Sequence, residues 1–151
     1  MAIASAAGFH PRPLQTGDTS RGRVVMLGAA EWISRPLPVR PFIVGLDATA
    51  CGEWTLVFVH HDCPECQRLL ADMRATAPAG HVAIVELPPY GSDAVASAIP
   101  KGAILGRFDG SREWVMETPV AVVLRDDKVT YVAKGGDLTN GSRVGSHPHA
   151  E

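Results

Sequence analysis

The chain has 151 residues, 46% of them hydrophobic and 20% charged, which fits one globular domain with a core of its own, so disorder is not the default expectation. Fourteen Lys and Arg against sixteen Asp and Glu leave a net charge of −2, so no basic excess exists to pair with phosphates and nucleic acid is not an expected partner. Three cysteines are too few for a disulfide-stapled scaffold, while 15 Gly and 12 Pro point to short elements joined by many turns.

No apolar run approaches the roughly 18 residues a membrane-crossing helix needs, so no transmembrane segment is expected in this chain. Residues 1–8 are small and apolar but lack the basic start and the length of a signal peptide. Residues 1–22 have Pro11, Pro13, Gly17 and Gly22 without periodicity and read as an extended arm. A short strand follows over 23–27. Pro36, Pro38 and Pro41 then forbid a long helix, and 42–44 pairs briefly at most.

The strongest strand pattern is 54–60, β-branched and aromatic with little alternation, as in a strand buried on both faces. Pro64 suits the first position of a helix, and Cys66, Leu69, Leu70 and Met73 then recur at helical spacing. Pro78 and Gly80 stop that helix. A second buried strand over 82–87, ended by Pro88 and Pro89, completes a parallel βαβ unit. Residues 93–99 hold one or two helical turns, and 103–108 is an ambiguous strand. Residues 119–124 and 128–133 flank Arg125, Asp126 and Asp127 as an antiparallel hairpin. The expected organisation is an arm over 1–22, an α/β domain over 23–135 and a loose tail over 136–151, with His147 and His149 solvated in the tail.

One constellation carries chemistry: Cys63-Pro64-Glu65-Cys66 at a strand–helix junction. Two cysteines three apart meet across the first helical turn and close a small disulfide ring. The first lies where unsatisfied backbone N–H groups and the positive end of the helix dipole stabilise a thiolate. Cys66 faces inward and is placed to attack a mixed disulfide formed at Cys63. His60 and His61 favour a thiolate when protonated, whereas Asp62 and Glu65 oppose it by like charge, so these four are candidate pKa tuners of conflicting sign.

The strand at 54–60, the Cys63–Cys66 motif with its helix, the strand at 82–87 and Thr118-Pro119 opening the hairpin together resemble the thioredoxin-like superfamily over about residues 52–135. The string from His60 to Cys66 also resembles redox domains attached to bacterial membrane or secreted proteins. The resemblance implies a central mixed sheet and a cis-proline at Pro119 facing the redox motif. It further implies thiol–disulfide exchange with a protein partner, with Cys63 as nucleophile and Cys66 as resolving thiol. Thr118 and Pro119 would form the platform for an extended substrate segment. No dissociable cofactor is required, and an extracytoplasmic, periplasmic-side setting follows from the narrower likeness. Three departures stand out. Asp62, not tryptophan, precedes Cys63; the stretch 88–118 is long; and no helix follows the hairpin. The sheet face near 128–133 therefore needs another cover, expected from residues 9–50, from 87–119 or from another chain.

A rival reading is a binding module of the same fold. His60, His61, Cys63 and Cys66 offer imidazole and thiolate donors for zinc or copper, although 60 and 61 on one strand point to opposite faces; a static structural disulfide is the other form of this reading. Cys51 reads as a small buried residue, and Trp32, Trp54 and Trp114 as core or rim anchors. The direction of exchange, the partner and the oligomeric state stay open.

Overall fold

A computed structural model describes residues 16–19, 22–90 and 93–135. Strands β1 (Thr16–Thr19) and β2 (Gly22–Leu27) form an antiparallel pair. Short 3-10 turns at Ala29–Trp32, Arg40–Phe42 and Asp47–Ala50 surround the two-residue β3 (Ile43–Val44). Then come β4 (Glu53–Val59), α1 (Pro64–Thr76), β5 (His81–Glu86), α2 (Ala94–Ala98), β6 (Ile104–Phe108), β7 (Glu113–Met116), β8 (Val120–Arg125) and β9 (Lys128–Lys134).

The main sheet is mixed, with order β3-β6-β5-β4-β8-β9. Strands β4, β5 and β6 run parallel, and β3, β8 and β9 pair antiparallel to their neighbours. The β4–α1–β5 unit expected from the sequence is present, as is the hairpin, whose two-residue loop puts Asp126 and Asp127 at positive φ, the conformation a tight hairpin turn requires. Strand β7 was not expected. Its four residues lie parallel to β2, from Val24 opposite Glu113 to Leu27 opposite Met116, in a separate three-stranded sheet β1-β2-β7. The long stretch between β5 and β8 thus supplies α2, an inner strand of the main sheet and a strand of the small one. The ambiguous run at 103–108 is β6.

Strands β4, β5 and β8 read as unbroken apolar runs because chain packs on both of their faces. On one face α1 lays Cys66, Leu69, Leu70 and Met73 against Val57, Val59, Val82, Ile84, Ala121 and Ala133. The other face buries Leu56, Phe58, Ala83, Val85, Val122 and Leu124 under Trp32, Leu37, Val39, Ile43 and Leu46. The proline-rich segment therefore does the work of a helix without being one. Arg40 fastens it, donating from Nε to Asp127 Oδ1 (2.7 Å) and from Nη1 to the Leu46 carbonyl (3.0 Å) and Thr49 Oγ1 (2.9 Å). Gly45 is required there: its φ is +96°, and a Cβ would stand 2.7 Å from the Leu105 carbonyl oxygen.

The expected cover over β9 comes from residues 29–46 on the face away from α1, where Val129 is buried. On the α1 side, β8 and β9 present the small Ala121 and Ala133, and Tyr131, opposite Val123, remains 49% exposed. The arm expected over 1–22 lies outside the described residues except at Thr16–Thr19 and Gly22, where β1 pairs with residues 22–25 of β2. The tail expected over 136–151, with His147 and His149, lies outside them too.

Candidate functional site

The parallel strands β4 and β5 end together, Val59 opposite Glu86, and the Leu87 N–H still donates to the Val59 carbonyl (2.9 Å). Past that edge the chain turns through His60, His61 and Asp62 into α1. Strand β4 thus stops one residue before the expected end, and His60 and His61 lie in the connection, both half-buried. Because neither lies in a strand, the strand alternation that would send them to opposite faces is absent here. Among the described residues no three metal-donor side chains cluster.

Cys63 is the N-cap of α1, with extended backbone, and Pro64 takes a first-turn position where its missing N–H costs nothing. Cys63 and Cys66 are joined in a disulfide with a Cα–Cα distance of 5.2 Å. The Cys66 N–H, otherwise an unpaired first-turn donor, points at Cys63 Sγ from 3.1 Å. Cys66 is fully buried among the α1-side apolar side chains, whereas Cys63 is only partly covered. The two sulfurs are therefore unequal: one borders solvent at a helix N-terminus, the other sits in the core.

Facing Cys63 across the site is the turn into β8. The Thr118–Pro119 peptide bond is cis, and Cys63 Sγ lies 3.8 Å from the Thr118 carbonyl oxygen. Glu65 is exposed and sits close to Gly135 at the end of β9: an added Cβ at 135 would meet Glu65 Oε2 at 3.1 Å and Pro119 Cδ at 3.2 Å. The structure thus brings Cys63, Cys66, Thr118, Pro119 and Glu65 together. His60 has its proton affinity lowered, mainly by burial and also by the nearby His61, against the upward pulls of Asp62 and of a backbone hydrogen bond at Leu87. Gln67 holds the turn by donating from Nε2 to the His61 carbonyl (3.0 Å).

Three residues at this edge escaped the sequence reading: Glu86, Arg107 and Tyr90. Glu86 is wholly buried at the end of β5, and Arg107 Nε lies 3.9 Å from its carboxylate. The Arg107 guanidinium covers the Tyr90 ring at 5.5 Å, and Tyr90 Oη donates to the Phe108 carbonyl. The signal was available, since a carboxylate falls in register with Val82 and Ile84 on the helix-covered face.

Cys51 requires a correction: it is exposed, not buried. It follows a 3-10 turn in extended backbone just before Gly52 (φ +81°), at the opposite end of β4, where the chain passes over the surface. Its carbonyl accepts from Trp54 Nε1 (3.1 Å). Trp54 itself stacks on His81 at 4.8 Å, whereas Trp32 and Trp114 are core residues.

No family model matches the chain, and no curated protein does. Among solved structures it is similar to the conserved protein BF1870 of unknown function from Bacteroides fragilis, with 21% identity, a TM-score of 0.38, and coverage of 56% of this chain and 73% of that one. What the chain itself defines is a mixed α/β protein with a disulfide at the N-terminus of its principal helix.

Proposed function

We propose that this protein is a thioredoxin-like thiol–disulfide oxidoreductase that exchanges disulfides with a protein partner. The observation that carries the reading is the inequality of the two sulfurs: Cys63 caps the helix at the surface and accepts the Cys66 N–H, while Cys66 is buried behind it. The sheet order β5-β4-β8-β9, with a helix joining the first parallel pair and a hairpin closing the other side, supports the thioredoxin-like reading, as does Thr118-Pro119 beside the motif.

The chemistry follows from that inequality. A partner thiolate attacks Cys63 Sγ, the Cys63–Cys66 bond breaks, and Cys66 leaves as a thiolate that takes up a proton. The partner is now held through a mixed disulfide on Cys63. A second partner thiolate attacks the partner's own sulfur, forming the partner disulfide and releasing Cys63 as a thiolate. The aligned first-turn N–H groups stabilise that charge, and a hydrogen bond to a charged acceptor is about twice as strong as a neutral one. Run backwards, the same steps reduce a partner disulfide, with Cys66 resolving the intermediate. Thr118 and Pro119 offer backbone beside Cys63 for an extended partner segment.

The test is non-reducing electrophoresis with a model protein disulfide. Cys66→Ser is expected to accumulate mixed disulfides on Cys63, Cys63→Ser to trap almost nothing, and Cys51→Ala to exchange as the unaltered chain does. Equal trapping by the Cys63 and Cys66 variants would overturn the assigned roles. A disulfide inert to dithiothreitol, or one zinc or copper bound per chain, would favour the binding-module reading instead.

A further inference from the structure

At the edge of the sheet beside the motif stands an arginine whose fork is unclaimed. Arg107 is in register with Glu86, and Glu86 with Val59, so the three form one row at the carboxyl ends of the parallel strands. Two residues before it, Leu105 packs against the α1 cluster, which puts Arg107 on the helix-covered side. It lies two strands away from the one that leads into Cys63. Its Nε is buried, 3.9 Å from the Glu86 carboxylate and beyond hydrogen-bond reach. The rest of the guanidinium faces outward: the side chain is 40% exposed, and the two Nη atoms have no hydrogen-bond partner among the described residues.

That fork is held in place from below. The guanidinium carbon lies 5.5 Å from the centre of the Tyr90 ring, and Tyr90 Oη donates to the Phe108 carbonyl, which ties the ring to the same strand. Stacking on a ring fixes an arginine while leaving the edge of its fork open to a carboxylate. The charged groups nearby are Glu86, His61 and Asp109; helix α2 brings none. Asp109 Oδ1 already accepts from the Ser111 N–H (3.2 Å) and hydroxyl. Burial holds the Glu86 carboxyl above the usual carboxylate range, against the pulls of Arg107 and His61, so Glu86 cancels less of the Arg107 charge than a fully ionised neighbour would.

We propose that Arg107, stacked on Tyr90, selects the protein partner by receiving the carboxylate of an Asp or Glu three or four residues from the partner's reacting cysteine. The proposal rests on the reading of the Cys63–Cys66 pair as redox-active. Cys63 Sγ lies by the Thr118 carbonyl at the turn into β8, and β6, β5, β4 and β8 are consecutive in the sheet. Two to three strand spacings, about 10–14 Å, therefore separate the sulfur from the row position of Arg107. An extended segment rises about 3.3 Å per residue and covers that span in three or four residues. A segment that leans on Thr118 and Pro119 at Cys63 and runs toward β6 brings an acidic side chain over the fork, where two parallel N–H···O bonds form. Arg107 meets the partner away from the reacting sulfurs, so it sets affinity and leaves the exchange step itself unchanged.

The experiment uses the reduced full chain carrying Cys51→Ala, so that the redox pair alone reacts, and peptides whose single cysteine is a pyridyl disulfide. The Cys63 thiolate attacks the peptide sulfur, pyridine-2-thione leaves, and its absorbance gives the rate. The peptides carry one Glu, Gln or Lys at the third or fourth position before or after the cysteine. On one side of the cysteine, Glu is expected to lower the half-saturating concentration about tenfold relative to Gln, the scale of a hydrogen bond to a charged group, with the limiting rate unchanged. Lys there should raise it. Arg107→Ala should abolish the difference, and Arg107→Lys, a point charge without the fork, should restore only part of it. Equal half-saturation with Glu and Gln, an equal gain on both sides of the cysteine, or a preference that survives Arg107→Ala would overturn the proposal. Should Arg107→Ala not fold, Arg107→Lys decides, and an undiminished preference there defeats the fork. A disulfide that dithiothreitol leaves intact overturns the redox reading instead. The oxidised chain is then titrated with the same peptides bearing Ser for Cys: an Arg107 Nε–H resonance that shifts with Glu and not with Gln supports the acid site, and one that stays put removes it.

Discussion

On one face of the six-stranded sheet, rings do the packing: Trp32 meets Phe58 edge-on at 5.8 Å, and Phe108 lies 4.8 Å from Trp114. On the other face a single helix packs against aliphatic side chains, and the α1 cluster holds Cys66, with Cys63 packed against it. The aromatic face is closed by irregular chain pinned through Arg40, and among the described residues its buried cluster is apolar throughout. The helical face ends in the motif, and Glu86 closes β5 on that face opposite Val59. The aromatic packing and the disulfide thus lie on opposite sides of the same strands, and under the proposed function each side should be open to disturbance without the other.

The largest separation should come from Phe58→Ala. Phe58 is fully buried between Trp32 and Phe108, so truncation is expected to cost about 3–5 kcal/mol in urea unfolding while the Cys63–Cys66 equilibrium with glutathione stays unchanged. A shifted redox equilibrium would mean that the two faces are coupled. Next in size is Arg40→Ala, which removes the clasp to Asp127, Leu46 and Thr49. About 2 kcal/mol is expected, and exchange rates should not respond.

A smaller effect belongs to His60 and runs with pH. Its folded-state proton affinity is lowered, mainly by burial, so the unfolded chain binds that proton more tightly. The associated stability is fully present above the unfolded value of about 6.5 and is lost as pH falls through it toward the lower folded value. Thermal melts between pH 7.5 and 5 should therefore decline less steeply for His60→Gln; parallel curves would remove His60 from the acid response. Smallest of all is Tyr131→Ser on the thinly covered helical side of β9. At 49% exposure the change should stay within about 0.5 kcal/mol, and a larger loss would reveal packing across that face.

What could be read in advance follows the same division. The helical face is built from contiguous pieces (β4, α1, β5), and their apolar runs, Pro64 and the cysteine spacing are all local signals. The aromatic face is assembled from residues far apart in the chain. Strand β7 exists because Val24 to Leu27 and Glu113 to Met116 find each other, and four residues are too few to announce a strand alone. Trp32, Leu37 and Val39 gave no periodicity because the prolines between them impose turns. Glu86 stood in plain view at the end of an apolar run, but only the packing of α1 over that face and the approach of Arg107, 21 residues further on, turn it into a buried ionisable group. Cys51 misled for the opposite reason: residue type favours burial, and the local turn exposes it.

That exposed cysteine makes the oxidation state countable. Cys51 precedes β4 and the Cys63–Cys66 motif follows it, so the seven residues of the strand hold them roughly 20 Å apart. An alkylating reagent under denaturing conditions should find one thiol per oxidised chain and three per reduced chain. In the native oxidised protein Cys51 is the only sulfhydryl among the described residues, so a fluorophore attached there would ride on the molecule at a distance from the disulfide, as a built-in handle for testing whether the proposed partner capture occurs.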